Sequence, residues 1–298
     1  MISVKSGTCR DFERCVLSTL GKYALADKKE KIIIALSGGK DSTSLAFILK
    51  KSGYFVEAVH IDMGLGDYSR KSREVAVKFC NAHQITLHVV DFRKEMGFDM
   101  NHVLENFRDF GLESPCAACG TMKKYLLNRH SRMLGASRLA TGHNMDDECQ
   151  SMLMNIFRAS PAMASRIGPL VKTRGDEMMV PRIKPLFFCT EAAVSEYCKK
   201  MRFIVKRGIC PYSRSVYRRR IKNALDRLEN MVPGSKKSML LNAMSLRAAS
   251  KSKDSGMAFR CSRCNEPSSR NVCRACTLSE KLLGRGAVNF RKGKLSRK

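Results

Sequence analysis

Apolar positions follow two periods along this chain. Continuous β-branched runs alternate with stretches in which apolar residues recur three and four apart. Residues 32–36 form an unbroken apolar run and predict a buried strand; residues 55–61, 85–91 and 138–141 predict three more. Between them, residues 43–51 (Leu45, Phe47, Ile48, Leu49), 70–83 (Val75, Val77, Phe79), 123–134 and 146–158 predict helices, and residues 11–23 predict one ahead of the first strand. This alternation predicts an α/β fold, a parallel sheet with helices on both faces, because parallel strands require crossover connections. Ligands of such sheets bind beyond the carboxyl ends of the strands. Three polar groups land there: residues 37–42, 60–62 and 142–147.

Length and charge narrow the picture. A chain of 298 residues holds one large domain with appendages. The excess of 55 Lys and Arg over 27 Asp and Glu, a net charge of +28, predicts a polyanionic partner, since each phosphate contact releases counterions. No apolar run approaches the roughly 18 residues that span a bilayer, and no secretory leader is evident, so a cytoplasmic protein without membrane contact is expected. Thirteen cysteines in such a chain predict metal binding or thiol chemistry rather than disulfides.

Chemistry enters at the end of the first strand, Ser37-Gly38-Gly39-Lys40-Asp41-Ser42. A glycine turn before a helix start leaves main-chain N–H groups without intrahelical partners at the positive end of the helix dipole, which favours an anion. The spacing is not that of the common phosphate loop, because Ile34 stands where its first glycine belongs and Asp41 follows Lys40. After the fourth strand, Gly142 precedes a helix start bearing Asp146, Asp147 and Glu148. Asn144 or Asp146 would cap that helix, and beside a triphosphate the same acids would hold Mg2+. His143 reads equally as a turn residue and as a catalytic one.

Cys116 and Cys119 open the helix that carries Lys123. Thiols at a helix start are expected to have lowered pKa values. The pair suits a redox couple, half of a zinc site or half of an iron–sulfur site, and Cys210, before Pro211, offers a third ligand. Cys80, Cys149, Cys189 and Cys198 read as core, and Cys9 and Cys15 as two buried thiols. Residues 181–186 read as a short extended segment with two positive charges, or more plainly as a basic surface loop. Arg214, Arg218, Arg219, Arg220, Lys222 and Arg227 lie on a helix with Ile221, Leu225 and Leu228 as its inner face; with the global charge they predict a track for a phosphate backbone. Residues 245–258 read as a linker. Beyond it, the pairs Cys261/Cys264 and Cys273/Cys276 predict a four-thiolate zinc ribbon, structural because all four positions are filled.

The Ser-Gly-Gly-x-Asp-Ser turn resembles the PP-loop of the ATP pyrophosphatase superfamily, whose enzymes cleave ATP between the α- and β-phosphates and leave AMP on a substrate atom. Together with His60 to Gly66, Cys116 and Cys119 with Lys123, Thr141 to Glu148, Lys184-Pro185, Cys210-Pro211 and the C-terminal cysteines, the chain resembles the tRNA 2-thiouridine synthetases of the TtuA type and their wobble-uridine relatives. The likeness runs from about Lys29 to Cys276. It implies a Rossmann-like PP-loop ATPase and tRNA-binding domain over residues 27–244, the ribbon over 259–280 and a basic tail over 281–298. It implies that Leu36, Ser37, Gly38, Gly39, Asp41 and Ser42 cradle ATP, with the main chain near Asp62 beside the adenine. Gly142 and Asp147 complete that site, Asp147 or Asp146 through magnesium, and Lys123 faces the nucleotide and the uracil. Cys116, Cys119 and Cys210 would hold a [4Fe–4S] cluster whose open iron takes sulfur from sulfide or a ubiquitin-like carrier protein.

The implied reaction adenylates the uracil C2 oxygen of tRNA, at a T-loop or wobble uridine, and replaces it with sulfur. Catalysis would fall to Cys116, Cys119, Cys210, Lys123 and Asp147. Such relatives are commonly homodimers. They usually begin with another four-ligand zinc module; here only Cys9 and Cys15 remain, so residues 1–26 are expected as a helical remnant of it. The alternatives are a tRNA cytidine 2-thiolase, a catalytically silent tRNA-binding paralogue, and a cluster-free enzyme using Cys116 and Cys210 as a persulfide/disulfide pair.

Overall fold

A computed structural model describes residues 8–112, 114–158, 167–171, 178–206, 208, 210–212, 216–249 and 259–283. The chain runs α1 (Cys9–Lys22), β1 (Ile32–Ala35), α2 (Lys40–Lys51), β2 (Val56–Asp62), α3 (Gly66–Ala82), β3 (Thr86–Asp91), α4 (Phe92–Met96), α5 (Met100–Glu105), α6 (Pro115–Met133), β4 (Arg138–Ala140) and α7 (Met145–Phe157). There follow β5 (Leu170–Val171), β6 (Arg182–Ile183), α8 (Glu191–Lys200), α9 (Val216–Met231), α10 (Ser235–Ala249), β7 (Phe259–Arg260), β8 (Pro267–Ser268) and α11 (Arg274–Leu283).

Six strands form one sheet in the order β3-β2-β1-β4-β6-β5, parallel except where β5 meets β6. β1 lies in the middle, and its isoleucines are fully buried on both faces, which is why this segment is a continuous apolar run. Ile32 and Ile34 point to one face, among Val16, Leu20, Leu45, Ile48 and Tyr197 from α1, α2 and α8. Ile33 points to the other, among Val59, Phe92, Met122 and Leu126. The chain leaves β1 toward β2 on one side and returns through β4 on the other. That reversal opens a crevice at the carboxyl ends of β1 and β4. A third core joins α7, α9 and α10 through Met145, Cys149, Phe187, Ile221, Leu225 and Leu240.

The predicted sheet and helices are all present, with ends shifted by a few residues at their caps. The largest shift is in α6, which begins at Pro115: Ser114 Oγ accepts from Ala117 N at 3.2 Å, and Pro115 takes the first helical position. Cys116, Cys119 and Lys123 therefore share one side of a single helix. Residues 181–186 are extended rather than a surface loop: β6 pairs with β4 inside the sheet, and Lys184 Nζ lies 2.7 Å from Glu148 with both side chains largely covered. One expectation changes: the linker begins later, because residues 245–249 complete α10.

The C-terminal cysteines do not hang from the domain. Cys261, Cys273, Cys276 and Leu278 are buried in the same core as Met122 and Leu126 of α6. Glu266, 5% exposed, pairs through both carboxylate oxygens with Arg132, whose guanidinium also reaches the Met178 carbonyl at 3.2 Å. Residues 1–7, 250–258 and 284–298, with Arg214, lie outside the described residues. No helix among the described residues is long and apolar enough to cross a membrane.

Candidate functional site

The turn after β1 is held by its own hydroxyls. Ser37 N donates to Ser42 Oγ at 3.1 Å, Gly39 N to Ser37 Oγ at 3.3 Å, and Ser42 Oγ to Gly39 O at 3.2 Å. No side chain caps α2 at Gly39, so its first N–H groups stay available to an anion. Two glycines let the turn approach its neighbours. Gly38 has φ +75°, and a Cβ there would stand 2.8 Å from the Ser72 carbonyl oxygen of α3. A Cβ on Gly142 would stand 2.7 Å from Ser42 N, so the turn after β4 lies directly against the start of α2.

The acids at the start of α7 divide the work. Asn144 caps the helix, accepting from Asp147 N at 3.0 Å, while its amide donates to Asp41 Oδ1 at 2.9 Å and joins the starts of α7 and α2. Asp146 turns inward: one oxygen pairs with the buried Lys236 ammonium and the other accepts from Glu191 N at 2.7 Å. Asp147 turns the other way, to Arg218 of α9. Burial pushes its carboxyl pKa up, the Arg218 guanidinium 2.9 Å away opposes that, and the nearby Asp41 adds to it. Two neighbouring carboxylates beside an anion-binding turn are a donor set for a hard cation. Lys40 bridges Asp41 at 3.0 Å and Glu191 at 3.1 Å, and Glu191 also pairs with Lys222 of α9. His143 is an exposed turn residue whose Nδ1 lies 3.0 Å from Thr141 Oγ1.

A cavity of about 530 Å3, open to solvent, extends from this turn. Leu36, Ser37, His60, Tyr68, Lys123 and Lys206 are among the residues that line it. The Asp62 carboxylate turns away to accept from Gly64 N at 3.0 Å, while its neighbours Ile61 and Met63 face the cavity. His60 Nδ1 donates to the Leu36 carbonyl at 2.8 Å, which leaves Nε2 buried without a partner.

The three distant cysteines meet behind the cavity wall, next to its residues Tyr68 and Lys123. The charge of Cys210 acts on both Cys116 and Cys119, Cys116 acts on Cys119 across one helical turn, and all three act on the Tyr68 phenol. The Lys123 ammonium acts on the Cys119 sulfur. The expected lowering of the thiol pKa values is overturned: burial, then the neighbouring Cys210 thiolate, raise that of Cys116, and burial does the same at Cys119 against the pull of Lys123. The helix terminus does not outweigh the loss of water.

The C-terminal four form a separate centre. Cys261, Cys264, Cys273 and Cys276 sulfurs all lie within 4.8 Å of one another, with Cys261–Cys276 at 3.7 Å and Cys264–Cys273 at 3.8 Å. Tetrahedral thiolates about 2.3 Å from one metal ion are about 3.8 Å apart, so the set fits a metal. Cys273 N and Cys276 N donate to the sulfurs of Cys261 and Cys273. Cys9 and Cys15 are half-buried instead, and Cys15 Sγ lies 3.6 Å from Cys189 Sγ.

The basic helix has two faces. Arg218 and Lys222 turn to Asp147 and Glu191, whereas Arg219, Arg220 and Arg227 are exposed. Glu191, Lys206 and Tyr68 are site residues that the pattern did not single out. For Glu191 a signal existed: Thr190 before apolar Val194, Tyr197 and Cys198 marks a helix start.

A profile of the PP-loop domain matches residues 10–226. The chain is 33% identical over 268 residues to a tRNA-5-methyluridine(54) 2-sulfurtransferase of Pyrococcus horikoshii, covering 89% of this chain and 83% of that one. It is 30% identical to cytoplasmic tRNA 2-thiolation protein 1 of Drosophila erecta over 96% of this chain and 83% of the relative. Among solved structures, it superposes with a TM-score of 0.77 on the U34-tRNA thiolase NcsA from Methanococcus maripaludis with its [4Fe–4S] cluster, at 28% identity, covering 92% of this chain and 88% of the other.

Proposed function

We infer the function of this chain from one premise: it belongs to the PP-loop domain family. It is an ATP-dependent tRNA sulfurtransferase, as the names of relatives matched along most of its length indicate, and we assign it to 2-thiolation of uridine in the cytoplasm. The observation that carries this reading is the meeting of Cys116, Cys119 and Cys210 beside Tyr68 and Lys123, two residues that line the cavity opening from the turn after β1. An enzyme that only adenylates has no use for three converging thiols.

The residues then take the following parts. Ser37, Gly38, Gly39 and Ser42, with the uncapped start of α2, hold the outer phosphates, and Leu36 with the main chain around Asp62 borders the adenosine. Asp147, beside Asp41, holds Mg2+ on the phosphate oxygens, and Gly142 keeps the two helix starts together. The uracil C2 oxygen attacks the α-phosphorus, the bond to the β-phosphate oxygen breaks, and pyrophosphate leaves. Sulfur then adds at C2 and AMP departs with the former oxygen. Lys123 offsets negative charge as it builds on the phosphoryl group and positions the base.

Cys116, Cys119 and Cys210 would hold a [4Fe–4S] cluster: two thiols one turn apart and a third from another loop leave one iron without a protein ligand. Its chemistry would be the presentation of sulfur beside C2, the sulfur supplied by sulfide or a carrier-protein thiocarboxylate. Cys261, Cys264, Cys273 and Cys276 would hold structural Zn2+. The outward arginines of α9 would carry the tRNA backbone.

The deciding experiment compares modified nucleosides in tRNA from cells with and without the gene. Loss of one 2-thiouridine species is expected. Intact 2-thiouridine with lost 2-thiocytidine would transfer the assignment to cytidine. A Cys210→Ala protein is expected to lose iron and sulfur transfer while still binding ATP.

A further inference from the structure

Lys206 has no part in the roles above, yet it stands where they meet. Its main-chain N–H donates to Gly38 O at 2.8 Å, in the nucleotide turn. Its side chain follows the cavity wall, where Nζ donates to Tyr68 Oη at 2.6 Å and lies 3.8 Å from the centre of that ring. The thiol of Cys210, on the same loop, acts on it, and so does the ammonium of Lys123. Burial and the Lys123 charge push its pKa down to about 8. Lys40, Lys184 and Lys236 each have a carboxylate. Among the described residues no carboxylate forms an ion pair with Lys206 or Lys123.

Two half-buried cations in one cavity, with thiols beside them but no carboxylate paired to either, are unfavourable in the free protein. An anion between them turns repulsion into attraction. We propose that Lys206 is the second cation of a two-lysine clamp, with Lys123, that holds the α-phosphoryl group of the nucleotide at the boundary between the cavity and the three cysteines. The proposal rests on the ATP reading above. The α-phosphoryl group fits because it is the phosphate that must lie nearest the thiols, and because it stays behind on the adenylate after pyrophosphate leaves the turn. The hydrogen bond to Gly38 ties the clamp to that turn, so the two halves of the phosphate site are positioned together.

The test titrates the full chain calorimetrically with adenosine, AMP and α,β-methylene ATP. Lys206→Met leaves the main-chain bond to Gly38 in place, so it is expected to weaken AMP and the ATP analogue about tenfold, the scale of one charge-assisted hydrogen bond, and to leave adenosine unchanged. Lys206→Arg is expected to retain most of the affinity. Tyr68→Phe keeps the ring and removes the hydroxyl, so a smaller loss is expected, and the double variant should match Lys206→Met alone, because Tyr68 acts through the lysine. Equal AMP affinity in wild type and Lys206→Met, or an equal loss for adenosine and AMP, overturns the clamp while the ATP reading stands. A wild-type chain that binds no adenine nucleotide removes the ATP reading, and the clamp with it.

Discussion

Arg218 on α9 donates to Asp147 at the start of α7 across 2.9 Å, and its Nε reaches Gln150 at 2.9 Å. Arg219 and Arg220 beside it are exposed. On the proposed reading, one helix thus presents cations to the nucleotide and to tRNA. Replacing Arg219 and Arg220 together by Ala is expected to lower the slope of log affinity for tRNA against log salt by about two, one for each lost phosphate contact. The KM for ATP should not move, since the Arg218–Asp147 pair is intact. Filter binding across a salt series, with ATP kinetics in parallel, checks both. An unchanged slope would place the tRNA backbone elsewhere.

Gly142 is the closest contact between the two halves of the nucleotide site. A methyl group there meets Ser42 N at 2.7 Å and the Asp41 carbonyl carbon at 3.0 Å, both main-chain atoms that cannot swing aside. Gly142→Ala is therefore expected to force α7 and α2 apart, destabilising the protein by about 1–3 kcal/mol and weakening ATP binding by on the order of tenfold or more. Gly53→Ala is the control: its added methyl meets nothing within 4 Å, and only its φ of +78° is strained. It should cost about 1–2 kcal/mol and leave nucleotide affinity alone. Denaturant unfolding with nucleotide titration separates the two.

Much of this site is legible in sequence because its parts are local. Strand β1 declares itself by burial on both faces, the turn by its glycines and hydroxyls, and the ribbon by paired cysteines. What escapes is set by contacts between distant segments. Nothing near Asp146 and Asp147 tells which one the fold buries; Lys236, far along the chain, draws Asp146 inward and leaves Asp147 to Arg218. The helix start at Cys116 suggests activated thiols, but the burial that raises their pKa comes from other elements. Lys206 and Tyr68 are single residues without a motif, brought together by the fold. The short helices α4 and α5 have too few turns to show a period.

His60 gives a pH dependence of stability. Burial holds its folded-state pKa below the ordinary 6.5, against the bond to Leu36 O and the charge of Asp62. Below about pH 6.5 the unfolded chain takes up a proton that the folded one refuses. Stability from this group is therefore fully present above pH 6.5 and is lost as pH falls toward the depressed value. His60→Asn keeps a donor toward the Leu36 carbonyl and does not titrate, so the fall in melting temperature between pH 6.5 and 5 should become shallower. A residual slope remains from His83 and His143, which the loss of water also depresses. Identical slopes in wild type and variant would mean that His60 takes up its proton as readily in the fold as in the unfolded chain.

The ribbon makes a last, separable prediction, because its thiols and its packing are distinct. On the proposed reading, removing zinc would leave four sulfurs within 4.8 Å of one another without the cation that draws their charges together, in a segment whose buried residues are few. The released strands would take with them Glu266 and its pair with Arg132, and would uncover Met122 and Leu126 on α6. Chelation, or Cys264→Ser, is thus expected to lower the melting temperature of the whole domain and to expose residues 259–283 to protease, with loss of one zinc per chain. Cys210→Ala should keep that zinc and that protease resistance, since its thiol belongs to the other centre. A chelated protein that melts and digests like the untreated one would show that packing on α6, not the metal, holds the ribbon in place.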